Sequence, residues 1–327
     1  MFSTKKRTYK QHYNEKDSFY KYSSPKFTEQ EALSENINTD ICIVGGGLTG
    51  ISAALNLADQ GYDVCILEAN KIGSGASGRN GGQLGIGMRK DQLYLENKFG
   101  FEKAEFFWNV GLDAVKNVTN LISKHNIDCA LKPGILHAGN TKKDYKFFLE
   151  EIEHMKSKYN YDNYEYFDEN AIKDEVNTDQ YYSGLLTKDS FHLNPLKLTY
   201  GLANQCLSKG IKIFENSPID KIEEKGNDIL LFSKNAVIKS KKVIIACNGY
   251  LDNLLGSVSN FFMPINNYII ATEPLGEKLA RQIIKRNCGV VDSRFMIDYY
   301  RFSEDHRLLF GGPETLTSKF VNNPVEF

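Results

Sequence analysis

Residues 40–70 read DICIVGGGLTGISAALNLADQGYDVCILEAN, and the order of patterns within them decides the fold. Ile41 to Val44 form a short apolar run, as in a strand buried on both faces. Leu48, Ile51, Leu55 and Ala58 then recur at steps of three and four, which predicts a helix, and Gly61 stands at the C′ position that ends it. Tyr62 to Glu68 alternate and close as a second strand, completing a β-α-β unit with a right-handed crossover. In the first turn Gly45, Gly47 and Gly50 make G-x-G-x-x-G. The first glycine permits the tight turn, the second lets backbone approach a pyrophosphate at the helix N-terminus, and the third lets helix and strand pack closely. Glu68, 18 residues beyond Gly50, ends the second strand where an acid takes a ribose hydroxyl pair. The context predicts a dinucleotide site. The acid argues against a 2′-phosphate, which disfavours NADP and leaves NAD and FAD.

Five residues after Glu68 comes GSGASGRNGGQLGIG, Gly73 to Gly87. Its composition suits a linker, but Arg79 and Asn80 have no use in one. Glycine-rich backbone with a cation suits close approach to a phosphate and a flat ring, since missing Cβ atoms let N–H groups point at a ligand.

These stretches, with KKVIIACNGY at 241–250, resemble the D-amino-acid-oxidase-like (DAO) superfamily of FAD-dependent amine oxidases, and within it the gamma-glutamylputrescine oxidase group. The resemblance continues in order through FHLNPLKL, NSPIDKIEE and MIDYYRFSEDHRLLFGG. It implies FAD as cofactor. The residues it assigns to cofactor binding are Gly45, Gly47, Leu48, Thr49 and Gly50 in the first turn, then Glu68 and Ala69. From the second glycine-rich stretch it adds Gly75, Ala76, Ser77, Arg79, Asn80, Gly81, Gly82, Gln83 and Leu84. Ile219 is expected to meet the adenine through its backbone, and Cys247, Asn248 and Gly249 to lie beside the cofactor. Asn194 stands where the family often has His, and Pro313 where it often has Gly. Family members also continue into a GYSGHG-like turn that covers the isoalloxazine, so the resemblance implies a site completed by a segment beyond Phe327, in the same or a second chain.

The expected fold class is α/β: a Rossmann-like FAD-binding domain with an interleaved α+β substrate domain built on a mixed or antiparallel sheet. The assigned boundaries are an N-terminal tail at 1–35, FAD-binding domain at 36–100 and 193–255, and substrate domain at 101–192 and 256–327. Phe107, Val110, Ala114, Val118 and Leu121 predict one buried helix face from about Phe101 onward. IDCALKPGILHAG reads as strands around a Pro133-Gly134 turn, and Lys143 to Lys158 as a surface helix. Asn194 and Pro195 are the N-cap and first residue of a helix that stops at Gly210. Met296 to Gly312 reads as a hairpin turning at Glu304 to His306.

Length and composition bound the function. A chain of 327 residues, 41% hydrophobic, with a formal net charge of -1 gives no electrostatic reason to expect nucleic acid or an anionic membrane. Small-molecule substrates are the expected partners. Six cysteines without a C-x-x-C pair read as buried, reduced thiols and point to a cytoplasmic location. No apolar run reaches the ~18 residues of a membrane span. The basic N-terminus lacks the apolar region of a secretory signal and reads as a surface-draped tail. The six histidines show no metal-ligand spacing, and no G-x-S-x-G elbow is present. His192 reads as a satisfied loop histidine ahead of a ligand.

By resemblance the reaction is oxidation of a C–N bond in an amine or amino-acid derivative, with hydride passing to the flavin, the imine hydrolysed, and electrons passed to oxygen or another acceptor. No catalytic base is assigned. On the strand before the hairpin turn Tyr299 and Arg301 share a face and could offer an aromatic wall and a cation to a substrate carboxylate, or simply pair across strands. Two other readings stay open: an NAD-linked dehydrogenase, and a truncated flavin-binding chain without turnover.

Overall fold

A computed structural model describes residues 18–252, 254–261, 263 and 265–315; the rest of the expected tail and the stretch after Thr315 lie outside the described residues. These residues form two compact units. One takes in the chain up to Arg79 and Pro195–Asn266, and the other Asn80–Asn194 and Asn267–Glu314.

The first unit is built on a six-stranded sheet. Lys212–Phe214, Val64–Leu67, Ile37–Val44 and Val237–Ile245 lie side by side in parallel, and Asp228–Ser233 and Ile219–Lys225 extend the sheet as an antiparallel meander. Parallel strands need a covering layer on each face, and the central residues Ile41–Val44 and Val64–Leu67 are buried throughout. The helices Leu48–Asp59 and Pro195–Ser208 pack on each other, with Cys206 Sγ 3.7 Å from Ile51 O. Leu33, Cys42, Cys65, Leu231 and Ile238 belong to one buried cluster. Gly61 at φ +86° and Gly210 at φ +76° follow the two helices as expected.

The N-terminal segment is anchored as well as draped. Tyr20 and Leu33 are buried, Phe27 stacks on Tyr200 at 5.2 Å, and Lys21 Nζ donates to Tyr200 Oη at 3.2 Å. Five of the six cysteines are buried free thiols, but Cys247 is only half-buried because it lines the cleft described below.

The second unit carries a mixed sheet in the order Asn266–Ala271, Leu308–Thr315, Tyr299–Phe302, Gly289–Asp292, Lys132–Gly139, Ser183–His192, Gln83–Leu84. Gly289–Asp292 runs parallel to Lys132–Gly139, and the pairs Gly289–Asp292/Tyr299–Phe302, Tyr299–Phe302/Leu308–Thr315, Lys132–Gly139/Ser183–His192 and Ser183–His192/Gln83–Leu84 are antiparallel. Leu136, Ile172, Ile284, Val290 and Phe302 form its core.

Three expectations need correction. Residues 80–100 fall in the second unit, because Gln83 and Leu84 pair with His192 and Phe191 of its sheet. The expected Pro133-Gly134 turn is one continuous strand, Lys132–Gly139, with a bulge absorbed by Gly134 at φ +93°. In the helix Phe101–Lys124 the buried stripe is Ala104, Trp108, Gly111, Val115 and Ile122, one position off the expected face. Gly111 sets that rotation: a Cβ there would stand 2.7 Å from Gly87 N, so only this face lets the backbones meet. Among the described residues no helix is long and apolar enough to cross a membrane.

Candidate dinucleotide cleft

Gly45 ends the first strand at φ +117°, and a Cβ on it would collide with Ala246 of the neighbouring strand. Gly50 is equally constrained, since its Cβ would run into the carbonyl of Gly45 and stand 3.1 Å from Ile43 Cγ2. Both glycines are therefore demanded by the turn and by helix–strand packing. Gly47, the N-cap, has no side chain to satisfy the helix, and Ser77 supplies the missing acceptor: Leu48 N donates to Ser77 Oγ at 2.9 Å across 29 residues of sequence. Glu68 grips the loop from the other side. Gly46 N donates to its Oε2 at 2.7 Å and Asn70 N to its Oε1 at 2.9 Å.

These residues open onto a cleft within the first unit. Of the predicted site residues Gly45, Gly47, Glu68, Ala69, Gly75 and Ala76 line it, as do Ser77, Ile219, Cys247 and Asn248. Leu48, Thr49 and Gly50 form the helix's first turn behind the loop, and Gly249 sits in the short Asn248–Tyr250 turn. Arg79 lines a separate small hollow with Lys21, Lys71 and Tyr200. The sequence reading missed Gly46, Asn70, Ser217, Pro218, Tyr250 and Leu254, which also line the cleft. Gly46 lies inside the predicted motif, Asn70, Pro218 and Tyr250 each stand one residue from a predicted contact, Ser217 falls in the NSPIDKIEE stretch, and Leu254 carried no motif. Burial raises the Tyr250 phenol above its ordinary range, with Arg79 opposing and Glu68 reinforcing the shift, so it faces the cleft neutral.

The donor set suits a dinucleotide. A helix N-terminus, glycine backbone without Cβ atoms, and a carboxylate at the end of the second strand are the groups a pyrophosphate and a ribose need.

Asn80, Gly81, Gly82, Gln83, Leu84, Tyr299 and Arg301 belong to the second unit. The Tyr299 ring lies against Gly81, where a Cβ would stand 2.6 Å from its Cε2, and against Gly311; its hydroxyl donates to Asn267 Oδ1. Arg301, 3% exposed, donates from Nε to Gly81 O at 2.8 Å and from Nη1 to Phe302 O at 3.2 Å. Gly82 N donates to Asn80 Oδ1 at 2.8 Å, and Gln83 Nε2 to Val290 O at 2.9 Å. Two of the glycines in the second stretch thus make room for this chain's own Tyr299 and Arg301. His192 is buried with Nε2 2.7 Å from Asn287 O, and burial, aided by Arg301, lowers its pKa to about 4. It is a neutral structural histidine at physiological pH.

Comparison with known proteins agrees with this architecture. The family described as DAO, FAD dependent oxidoreductase, matches residues 40–326. The chain is 36% identical over 296 residues to gamma-glutamylputrescine oxidoreductase of Escherichia coli (strain K12), covering 90% of this chain and 69% of that protein. It is 34% identical to the probable oxidoreductase OrdL of Haemophilus influenzae, covering 93% and 72%. In fold it is similar to glycine oxidase from Geobacillus kaustophilus, with a TM-score of 0.66 at 17% identity over 85% of this chain and 72% of that one. The L-amino acid deaminase from Proteus myxofaciens has a TM-score of 0.64 at 21% identity, over 87% of this chain and 61% of that one.

Proposed function

The chain belongs to the DAO family of FAD-dependent oxidoreductases, and on that premise we propose that it oxidises the C–N bond of an amine or amino-acid derivative of the gamma-glutamylputrescine type. The observation that carries this reading is the 36% identity to gamma-glutamylputrescine oxidoreductase across 90% of the chain, beside a family match over residues 40–326 that spans the Gly45–Gly50 turn and Glu68. In this reading the Gly45–Gly47 backbone and the Leu48 helix N-terminus hold the pyrophosphate, Glu68 the ribose, and the Ile219 backbone the adenine. Cys247 to Gly249 serve the flavin end. FAD held there would supply a two-electron acceptor for the hydride on the carbon next to nitrogen, while the protein orients and desolvates the amine. The imine then hydrolyses to an aldehyde or oxo product. A deprotonated amine is the reactive form, so the rate rises with pH until the substrate is neutral.

The test is anaerobic mixing of the purified flavoprotein with gamma-glutamylputrescine, putrescine and simple amino acids, following flavin bleaching and aldehyde release. Bleaching by gamma-glutamylputrescine with stoichiometric aldehyde is expected. A flavoprotein reduced by none of these amines, or by a hydroxy acid instead, would overturn the proposal.

A further inference from the structure

Glu215 was not singled out by any sequence pattern and does not line the cleft, yet it joins the segments that do. It follows the Lys212–Phe214 strand and is 1% exposed. Its Oε1 accepts from Ile72 N at 2.8 Å. Its Oε2 accepts from Gln30 N at 3.0 Å and lies 3.3 Å from Lys71 Nζ. Around it, backbone bonds bind the same two stretches together: Glu68 N to Phe214 O at 2.9 Å, Asn216 N to Asn70 O at 2.8 Å, and Ser217 N to Glu68 O at 2.8 Å. The N-terminal segment adds a third layer, with Leu33 N donating to Ser217 Oγ at 2.9 Å and Ser217 Oγ to Glu215 O at 2.8 Å.

We propose that Glu215 is a positioning residue for the adenosine end of the cofactor, and that the N-terminal segment around Gln30 to Leu33 is a retention strap acting through it. The inference rests on reading the cleft as the FAD site. Glu68 and Ile219, the two residues assigned to ribose and adenine, sit on different segments, 68–73 and 217–219. Their spacing is held by these backbone bonds together with one buried carboxylate taking two backbone N–H groups and an ammonium. A buried acceptor with three donors has no substitute in a neutral amide, because the amide would turn its own donor toward a backbone N–H and leave it unpaired. Movement of either segment then changes the gap that adenosine must fill, while the far end of the cofactor is untouched.

The experiment compares wild type, Glu215→Gln and Gln30→Pro, the last removing the strap's N–H from the carboxylate together with the exposed Gln30 side-chain bond to Thr28 O. Apoprotein affinity for FAD and for ADP is measured alongside thermal unfolding and the flavin midpoint potential. The expected result is a rise of about tenfold in the dissociation constants of both FAD and ADP for Glu215→Gln, a smaller rise for Gln30→Pro, and an unchanged midpoint potential. Unchanged ADP affinity in the folded variants, with or without a lower unfolding temperature, would overturn the proposal by making Glu215 structural only. If Glu215→Gln does not fold, Gln30→Pro decides alone: an unchanged ADP affinity there overturns the proposal. Failure of the wild-type apoprotein to bind either FAD or ADP would instead sink the reading of the cleft itself.

Discussion

Arg301 Nε donates to the carbonyl oxygen of Gly81 at 2.8 Å, joining residues 220 positions apart and tying the glycine-rich loop to the first strand of the final hairpin. The same guanidinium occupies the space a Cβ on Gly82 would take, at 2.9 Å from Nε and Nη2. Gly82 also has φ +70°, and its Cβ would collide with Leu193 O. Gly82→Ala should therefore destabilise the protein by about 1–3 kcal/mol from backbone strain alone. Gly85→Ala, whose Cβ would meet Ile135 Cδ1 at an ordinary 3.6 Å, should stay within about 0.5 kcal/mol of wild type. Urea unfolding of the two variants checks the contrast, and equal stabilities would contradict it.

Ser77→Ala removes the acceptor for Leu48 N at the start of the glycine-loop helix. Loss of an N-cap bond costs about 1 kcal/mol, and the freed N–H lies at the first turn of the helix behind the glycine loop. Denaturant midpoint and FAD content should both fall. Gly47→Val should abolish FAD retention outright, since even a Cβ would press on Ser77 Oγ at 2.7 Å. Stoichiometric flavin in a folded Gly47→Val protein would remove this loop from the site.

Glu68→Gln has a double effect. The carboxylate accepts one N–H on each oxygen, from Gly46 and Asn70, and an amide can accept on only one. FAD affinity should drop by about one to two decades, the equivalent of a charge-assisted bond worth about 1.5–3 kcal/mol. The apoprotein should lose stability too. Titration calorimetry with FAD that matches wild type would show that Glu68 serves the loop alone.

Glu151 supplies a pH dependence remote from the cleft. Burial, with Asp91 nearby, raises its pKa from 4.5 to about 7, while the Tyr164 hydroxyl at 3.4 Å and His154 act in the opposite sense. The unfolded chain releases this proton near the lower value and the folded chain keeps it to the higher one. Folding stability therefore declines as pH rises between about 4.5 and about 7. Glu151→Gln should flatten that decline, as read from urea midpoints across the interval. A parallel pH profile in the variant would assign the dependence elsewhere.

The β-α-β unit, the helix opened by Asn194 and Pro195, and the final hairpin were legible in the residues themselves, because periodicity, caps and turn chemistry act over a few neighbours. So were the glycine loop and Glu68, since their order along one strand, turn and strand is already a geometry. Packing over long separations was not legible. That Ser77 would cap a helix beginning at Leu48, or that Gly111 would turn its helix toward Gly87, depends on backbones meeting in space. Gly81 and Gly82 show the difference most plainly: their composition announced a close approach, and only the fold disclosed Tyr299 and Arg301 as the groups approaching. A missing Cβ records that space is needed and carries no information about what fills it, whereas the partner is chosen by the tertiary fold that brings the Arg301 guanidinium to the Gly81 carbonyl.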